Sequence, residues 1–127
     1  MSAMIKPLIA TFECDALITK GQAVKFGTSN KRVTPCAATT DLGFGVAQNT
    51  TLNIGDLVEV AVSGGGAKGL ANSTIAKGNF LGFNANGKLQ KLASANDVII
   101  GQAMDDAVSG DVFSLMVNPS QGVATQS

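Results

Sequence analysis

One nine-residue pattern occurs four times in this chain, and it constrains the fold more than any other feature. It reads apolar, two free positions, Gly, amide or Asp, apolar, apolar, small or charged, apolar. The copies are ITKGQAVKF (Ile18 to Phe26), LNIGDLVEV (Leu52 to Val60), IAKGNFLGF (Ile75 to Phe83) and AVSGDVFSL (Ala107 to Leu115). A Gly tolerates the positive φ that a turn demands, and an Asp, Asn or Gln beside it can bond the local backbone and close that turn. Three and five residues after each Gly stand two large apolar residues: Val24 and Phe26, Val58 and Val60, Leu81 and Phe83, Phe113 and Leu115. Alternate residues of a strand share a face, so each pair is expected on one buried face, with Lys25, Glu59, Gly82 and Ser114 turned toward a wetter one. Each copy therefore predicts a turn feeding a half-buried strand.

The copies pair into longer units. Gly21 precedes Gly78 by 57 residues, as Phe26 precedes Phe83 and Lys31 precedes Lys88. Gly45 and Ala47 recur at 56 as Gly101 and Ala103, and Gly55 recurs at 55 as Gly110. Residues 18–62 and 75–117 read as one motif written twice, with two single-residue length changes in loops. Between them, Ser63 to Gly69 (SGGGAKG) reads as a flexible linker. The expected fold is all-β: a compact β-barrel or β-sandwich-like domain over residues 15–119, built from two similar units. Residues 1–14 would form an N-terminal arm or edge strand, and residues 120–127 a loose tail. Strands are expected near 23–27, 32–35, 43–48 and 98–104. Gly45 and Gly101 suggest bulges or close backbone approach, and Asn86-Gly87 suits a tight hairpin turn. No segment has a helical period.

Composition narrows the function. The 127 residues carry 9 basic and 9 acidic side chains, so no net field draws in nucleic acid or an anionic membrane. Charged residues make up 14%, against about 25% in ordinary globular domains, which suits a protein that buries surface in an assembly. The N-terminus lacks the apolar core of a signal peptide, and no run has the length of a membrane span. Synthesis in a reducing cytoplasm is expected, with Cys14 and Cys36 free thiols packed as small hydrophobes.

Residue chemistry offers little for catalysis. There is no His and no Tyr, and a Cys nucleophile would need a base. Two cysteines without His do not match the usual zinc frameworks. Asp105-Asp106 with Asp111 suggests a cation site, but neighbours on a strand point opposite ways and the spaced oxygen ligands of a calcium loop are missing. The glycine run lacks the Gly-Lys-Ser/Thr ending of a phosphate loop. Without Trp or a basic groove, the six Phe read as core rather than as a base-stacking platform. No enzymatic activity, cofactor or metal is expected.

The order of elements resembles the small capsid decoration, or cement, proteins of tailed bacteriophages. The resemblance covers about residues 15–119 and rests on ITKGQAVKF, GFGVAQN (from Gly43) and NIGDLVEVAVSG (from Asn53). In the second half it rests on IAKGNFL, NGKL (from Asn86), IIGQAM (from Ile99) and GDVFSLMVNP (from Gly110). The two cysteines are outside the pattern, and residues 1–14 match nothing in it. The resemblance implies a structural virion protein on the outer surface of the mature shell. It would be a homotrimer that bridges subunits of the major capsid protein at three-fold or quasi-three-fold positions, with no direct contact to nucleic acid or membrane. It would hold the shell against packaged-DNA pressure. The apolar N-terminal residues Ile5, Pro7, Leu8 and Phe12 lie outside the duplicated core and are the candidate capsid or protomer contacts; removing residues 2–12 should leave a folded protein. Two other readings stay open: a head-fibre base or similar phage module, and a small ligand-binding β-barrel.

Overall fold

The computed structural model describes residues 7–28, 31–94 and 97–119. They form nine strands: β1 (Leu8–Cys14), β2 (Ala23–Phe26), β3 (Arg32–Pro35), β4 (Gly45–Ala47), β5 (Leu57–Leu70), β6 (Phe80–Phe83), β7 (Leu89–Lys91), β8 (Gly101–Ala103) and β9 (Val112–Val117). The fold is all-β, and no helix among the described residues is long and apolar enough to cross a membrane.

The repeated pattern acts as its residues dictate. Gly21, Gly55, Gly78 and Gly110 all have positive φ, between 91° and 96°. Each is the third residue of a turn closed by a backbone bond three residues long: Gln22 to Thr19, Asp56 to Asn53, Asn79 to Ala76, Asp111 to Val108. The side chain after the Gly closes the same turn again. Gln22 Oε1 accepts from the Thr19 N–H, Asp56 Oδ2 from Asn53, Asn79 Oδ1 from Ala76 and Asp111 Oδ2 from Val108, at 2.8–3.0 Å.

All nine strands join one sheet in the order β1-β3-β2-β4-β5-β9-β8-β6-β7, and β5 also pairs with β1. The ladder from β1 through β3, β2 and β4 to β5 thus returns to β1. In the second half, an isolated parallel bridge between Ala71 and Leu89 brings β7 back to the end of β5. The registers repeat. Phe12 faces Val58 as Gly69 faces Phe113, and Phe26 faces Val33 as Phe83 faces Leu89. Val24 faces Gly45 as Leu81 faces Gly101, and Ala47 faces Val60 as Ala103 faces Leu115. The offset is 57 from Phe12 to Gly69 and from Phe26 to Phe83, 56 from Val33 to Leu89 and from Ala47 to Ala103, and 55 from Val58 to Phe113. One residue is therefore lost in the β2–β3 hairpin and one between β4 and β5.

The expected linker is not a linker. Ser63 to Gly69 lies inside β5, a 14-residue strand. Its first part pairs with β1 and β4, and its last part, Ala67 to Leu70, repeats the role of β1 in the second half. Gly64 and Gly66 take positive φ, 97° and 87°, where the register shifts, so the strand bulges without breaking. Gly69 is small because its side-chain space is already taken: a Cβ there would stand 2.5 Å from Leu89 Cδ1 and 2.9 Å from Leu115 Cδ2.

Seven of the eight paired apolar positions are buried; Phe26 is 64% exposed. One buried cluster gathers Cys14, Ile18, Val24, Val33, Val58 and Val60 of the first half. The other spans both halves, with Ala23, Cys36, Val46 and Ala61 beside Phe83, Leu89 and Leu115. Both cysteines are free and buried. Gly45 and Gly101 permit close strand approach, since a Cβ would meet the Ala61 carbonyl oxygen at 2.6 Å and that of Met116 at 2.1 Å. The Asn86-Gly87 hairpin differs from the tight two-residue form. Gly87 alone has positive φ there, and Asn84 N–H bonds to the Lys88 carbonyl at 2.9 Å, which makes a three-residue loop.

Candidate functional site

Of the four N-terminal candidates, Ile5 lies outside the described residues. Pro7 is half-buried just before β1, and Leu8 at its start is exposed. The register shifts between Leu8 and Ile9, and both side chains are exposed. The strand itself is no free arm. It pairs antiparallel with β5 over Leu8 to Glu13 and parallel with β3 through Glu13 and Cys14, so deleting residues 2–12 would remove most of a central strand.

Phe12 belongs elsewhere. It meets Phe44 edge-on at 5.4 Å and Phe26 edge-on at 6.0 Å, while Phe26 stacks on Phe44 at 4.2 Å with an interplanar angle of 13°. Phe44 is nearly buried, so the trio presents the Phe26 ring to solvent. Such stacked and T-shaped pairs add stability beyond their buried area.

A second apolar surface surrounds the Gly55 turn. Leu17, Leu52, Ile54 and Leu57 are all more than half exposed, and Leu52 reaches 78%. The turn is held against the end of β1: Gly55 N–H donates to the Cys14 carbonyl, and Cys14 N–H donates to the Asp56 carbonyl, both at 2.9 Å. The sequence carries a signal for these residues outside the fixed positions of the repeat. At the second free position of the pattern the other copies carry Lys20, Lys77 and Ser109; this one carries Ile54. Exposed apolar groups on a tied-down turn suit contact with another protein surface.

Charge is sparse and local. Lys25 Nζ pairs with Asp41 Oδ2 at 2.9 Å, and Arg32 bridges Glu13 at 3.2 Å and Asp15 at 3.7 Å. Burial opposes the charge on Asp41, but amide hydrogen bonds from Ala37 and Ala38 and the Lys25 ammonium prevail and hold its carboxyl below the usual value. Burial, reinforced by the Asp41 charge, pushes the Cys36 thiol up to about 12, so it is no nucleophile at neutral pH. Cys14 donates its S–H to the Asn53 carbonyl at 3.2 Å.

The acidic cluster does backbone work. Asp106 Oδ1 accepts from the Lys77 N–H at 2.8 Å, Asp105 Oδ2 from the Ser114 N–H at 3.1 Å, and Asp111 closes its own turn. No group of three His, Cys, Asp or Glu among the described residues is placed to hold a metal.

Comparison with known proteins gives a family match and similar solved structures. A family model described as phage cement protein matches residues 6–118. The structure is similar to the crystal structure of the head fiber gp8.5 N base in bacteriophage phi29, with a TM-score of 0.68 at 18% identity, covering 93% of this chain and 98% of that one. No curated protein sequence matches the chain.

Proposed function

The chain belongs to the phage cement protein family, and from that membership we propose that it seats on the outside of the mature capsid as a homotrimer, bridging major capsid subunits at three-fold or quasi-three-fold positions. The observation that carries this reading is the family match across residues 6–118, which takes in all nine strands. The mechanism is linkage. A ligand that binds the expanded lattice and not its ruptured or unexpanded forms stabilises that lattice by its binding free energy, RT ln(1 + [L]/Kd) per site. Many sites summed over a shell oppose the outward pressure of packaged DNA, and no turnover is required.

Two surfaces are assigned to the shell. One is the N-terminal segment through Ile5, Pro7 and Leu8; the other is the Gly55 turn with Leu52 and Ile54. Leu8, Leu52 and Ile54 are all exposed apolar side chains outside the core. Phe12 is assigned to contact between protomers. Synthesis takes place in the host cytoplasm, and attachment follows shell expansion.

The deciding experiment adds purified protein to undecorated, expanded phage heads and follows co-sedimentation and rupture temperature. Saturable binding with a raised rupture temperature is the expected result; no binding, or binding with no shift, overturns the reading. A second reading, the base of a head fibre, draws on the likeness to the phi29 base fold. Both place the protein on the shell, and electron micrographs of decorated heads separate them by whether a fibre stands above it.

A further inference from the structure

Phe26 and Phe83 hold the same place in the two halves, each opposite its hairpin partner, Val33 or Leu89. Phe26 is 64% exposed and Phe83 is 0%. Phe83 is covered because its hairpin seats on the first half of the chain. The Ala23 N–H donates to the Gly87 carbonyl at 2.8 Å, and Gln22 Nε2 donates to the Asn86 carbonyl at 2.7 Å. Gly43 lies against the Phe83 ring, where a Cβ would stand 2.9 Å from it. Ala23, Cys36, Val46 and Ala61 share its buried cluster. These residues are a socket.

The second half carries a copy of that socket with no hairpin on it. At the offsets of 57, 56 and 55, Ala23, Gly43, Gly45, Val46, Ala61 and Ser63 become Phe80, Ile99, Gly101, Gln102, Met116 and Asn118. Those same six residues line a surface cavity of about 60 Å³. The backbone there is open as well. The Phe80 N–H, counterpart of the Ala23 N–H that bonds Gly87, has no acceptor among the described residues. A Cβ on Gly21 would meet Leu70 N at 2.5 Å, whereas one on Gly78 meets nothing within 4 Å.

The first half thus shows an uncovered Phe26 with its aromatic trio, and the second half shows an uncovered socket. They are the counterparts of two surfaces that already fit each other inside the chain. We propose that the Phe26 face of strands β2 and β3 in one copy docks on the Phe80, Ile99 and Met116 face of a second copy, repeating between molecules the apolar contact that joins the halves within one. The intermolecular socket is shallower, because Ala23, Gly43 and Ala61 are replaced by Phe80, Ile99 and Met116. Phe26, already stacked on Phe44, therefore lies along the flanks of Phe80 and Met116 rather than sinking between strands. Ring–ring and sulfur–ring contacts favour that arrangement. The interface is heterologous: it closes into a ring if the rotation between copies allows, and it extends into a filament if not. It supplies a contact for the proposed trimer but rests on the duplicated register, independently of the shell.

The test uses the full chain without capsids. Sedimentation velocity over a range of concentrations compares wild type with Phe26→Asp and Phe80→Asp, each checked for an unchanged circular dichroism spectrum. Wild type is expected to form a multimer and each variant a monomer. An equimolar mixture of the two variants is expected to stop at a 1:1 dimer, because it contains one intact hairpin and one intact socket. Phe26→Ser and Met116→Lys replace either variant that fails to fold. A wild type that stays monomeric, a multimer that survives both substitutions, or variants that do not pair on mixing would each overturn the proposal.

Discussion

Lys31 and Gly87, 56 residues apart, sit at matching points of the two hairpins, where spacing alone pairs Lys31 with Lys88, and share a left-handed backbone with φ of 64° and 76°. Lys31 is the only non-glycine residue with positive φ among those described. A side chain in that conformation costs roughly 1–2 kcal/mol. Glycine loses more chain entropy on folding, which returns part of the gain. Lys31→Gly is therefore expected to stabilise the protein by about 0.5–1 kcal/mol, read as a higher urea midpoint with unchanged slope. Gly87→Ala should do the reverse by at least about 1 kcal/mol, since its Cβ would also stand 3.1 Å from the Ala23 carbonyl. A destabilising Lys31→Gly would show that the strain is not there.

Gly21 and Gly78 form a second matched pair, with φ of 94° and 92°. Alanine at either position meets the same backbone strain, about 1 kcal/mol. Only Gly21 is crowded, by the Leu70 backbone at 2.5 Å. Gly78→Ala is expected to cost about 1 kcal/mol and Gly21→Ala at least about 2 kcal/mol more, as an overpacked site must shift backbone. Equal losses in chemical denaturation would mean that the two halves do not press together at Gly21.

What the sequence makes legible is local chemistry, and what it hides is pairing. The four turns, the strands that follow them and the close approach at Gly45 and Gly101 all follow from residue type and spacing. Phe26 has the same period as Phe83, which predicts burial; it is outside because burial at that position depends on a hairpin seated against another half, which period cannot show. Composition alone makes the glycine-rich stretch look like a flexible linker, because it carries no partner information. Its inward residues Ala67 and Gly69 are small to make room for Leu89, Leu115 and Phe113, which come from distant strands. Among positions 10–13 and 67–70, Ala10 and Ala67 alone agree in type, so the repeat of β1 inside β5 leaves almost no trace. The Gly55 turn was readable, as the one copy with Ile in place of Lys or Ser, but only once free positions are compared rather than fixed ones.

Stability should fall at both ends of the pH range for identifiable reasons. The Cys36 thiol titrates near 9.0 when unfolded and is raised to about 12 by burial. A raised folded value favours the native state fully below the unfolded value, and that advantage is lost as pH rises from about 9 toward about 12. The slope approaches about 1.4 kcal/mol per pH unit inside that window. Cys36→Ala should flatten the alkaline limb relative to wild type in urea titrations, and the native thiol should resist modification at pH 8. At the acid end, Asp41 is held below its usual value of 3.8. Its contribution is present above 3.8 and lost as pH falls through the lowered folded value. Asp41→Asn should shrink the acid limb in thermal melts; an unchanged limb would show that the Asp41 carboxylate carries no linkage.

The proposed shell contact makes a prediction separable from folding. Ile54 and Leu52 stand on a turn whose hydrogen bonds are made by backbone and by Asp56, not by their own side chains. Replacing both, Leu52→Ser with Ile54→Lys, should leave the melting temperature of the free protein within about 1–2 °C, since surface changes away from special features stay within about 0.5 kcal/mol. Burying two such side chains against another protein contributes about 1.5–3 kcal/mol each when the contact is complete. Affinity for expanded heads should then drop at least about tenfold for each 1.4 kcal/mol lost, and the rise in rupture temperature should shrink with it. Truncation after residue 6, which spares β1, should weaken binding by the same readout. Wild-type affinity in both variants would place the shell contact on some other face of the molecule.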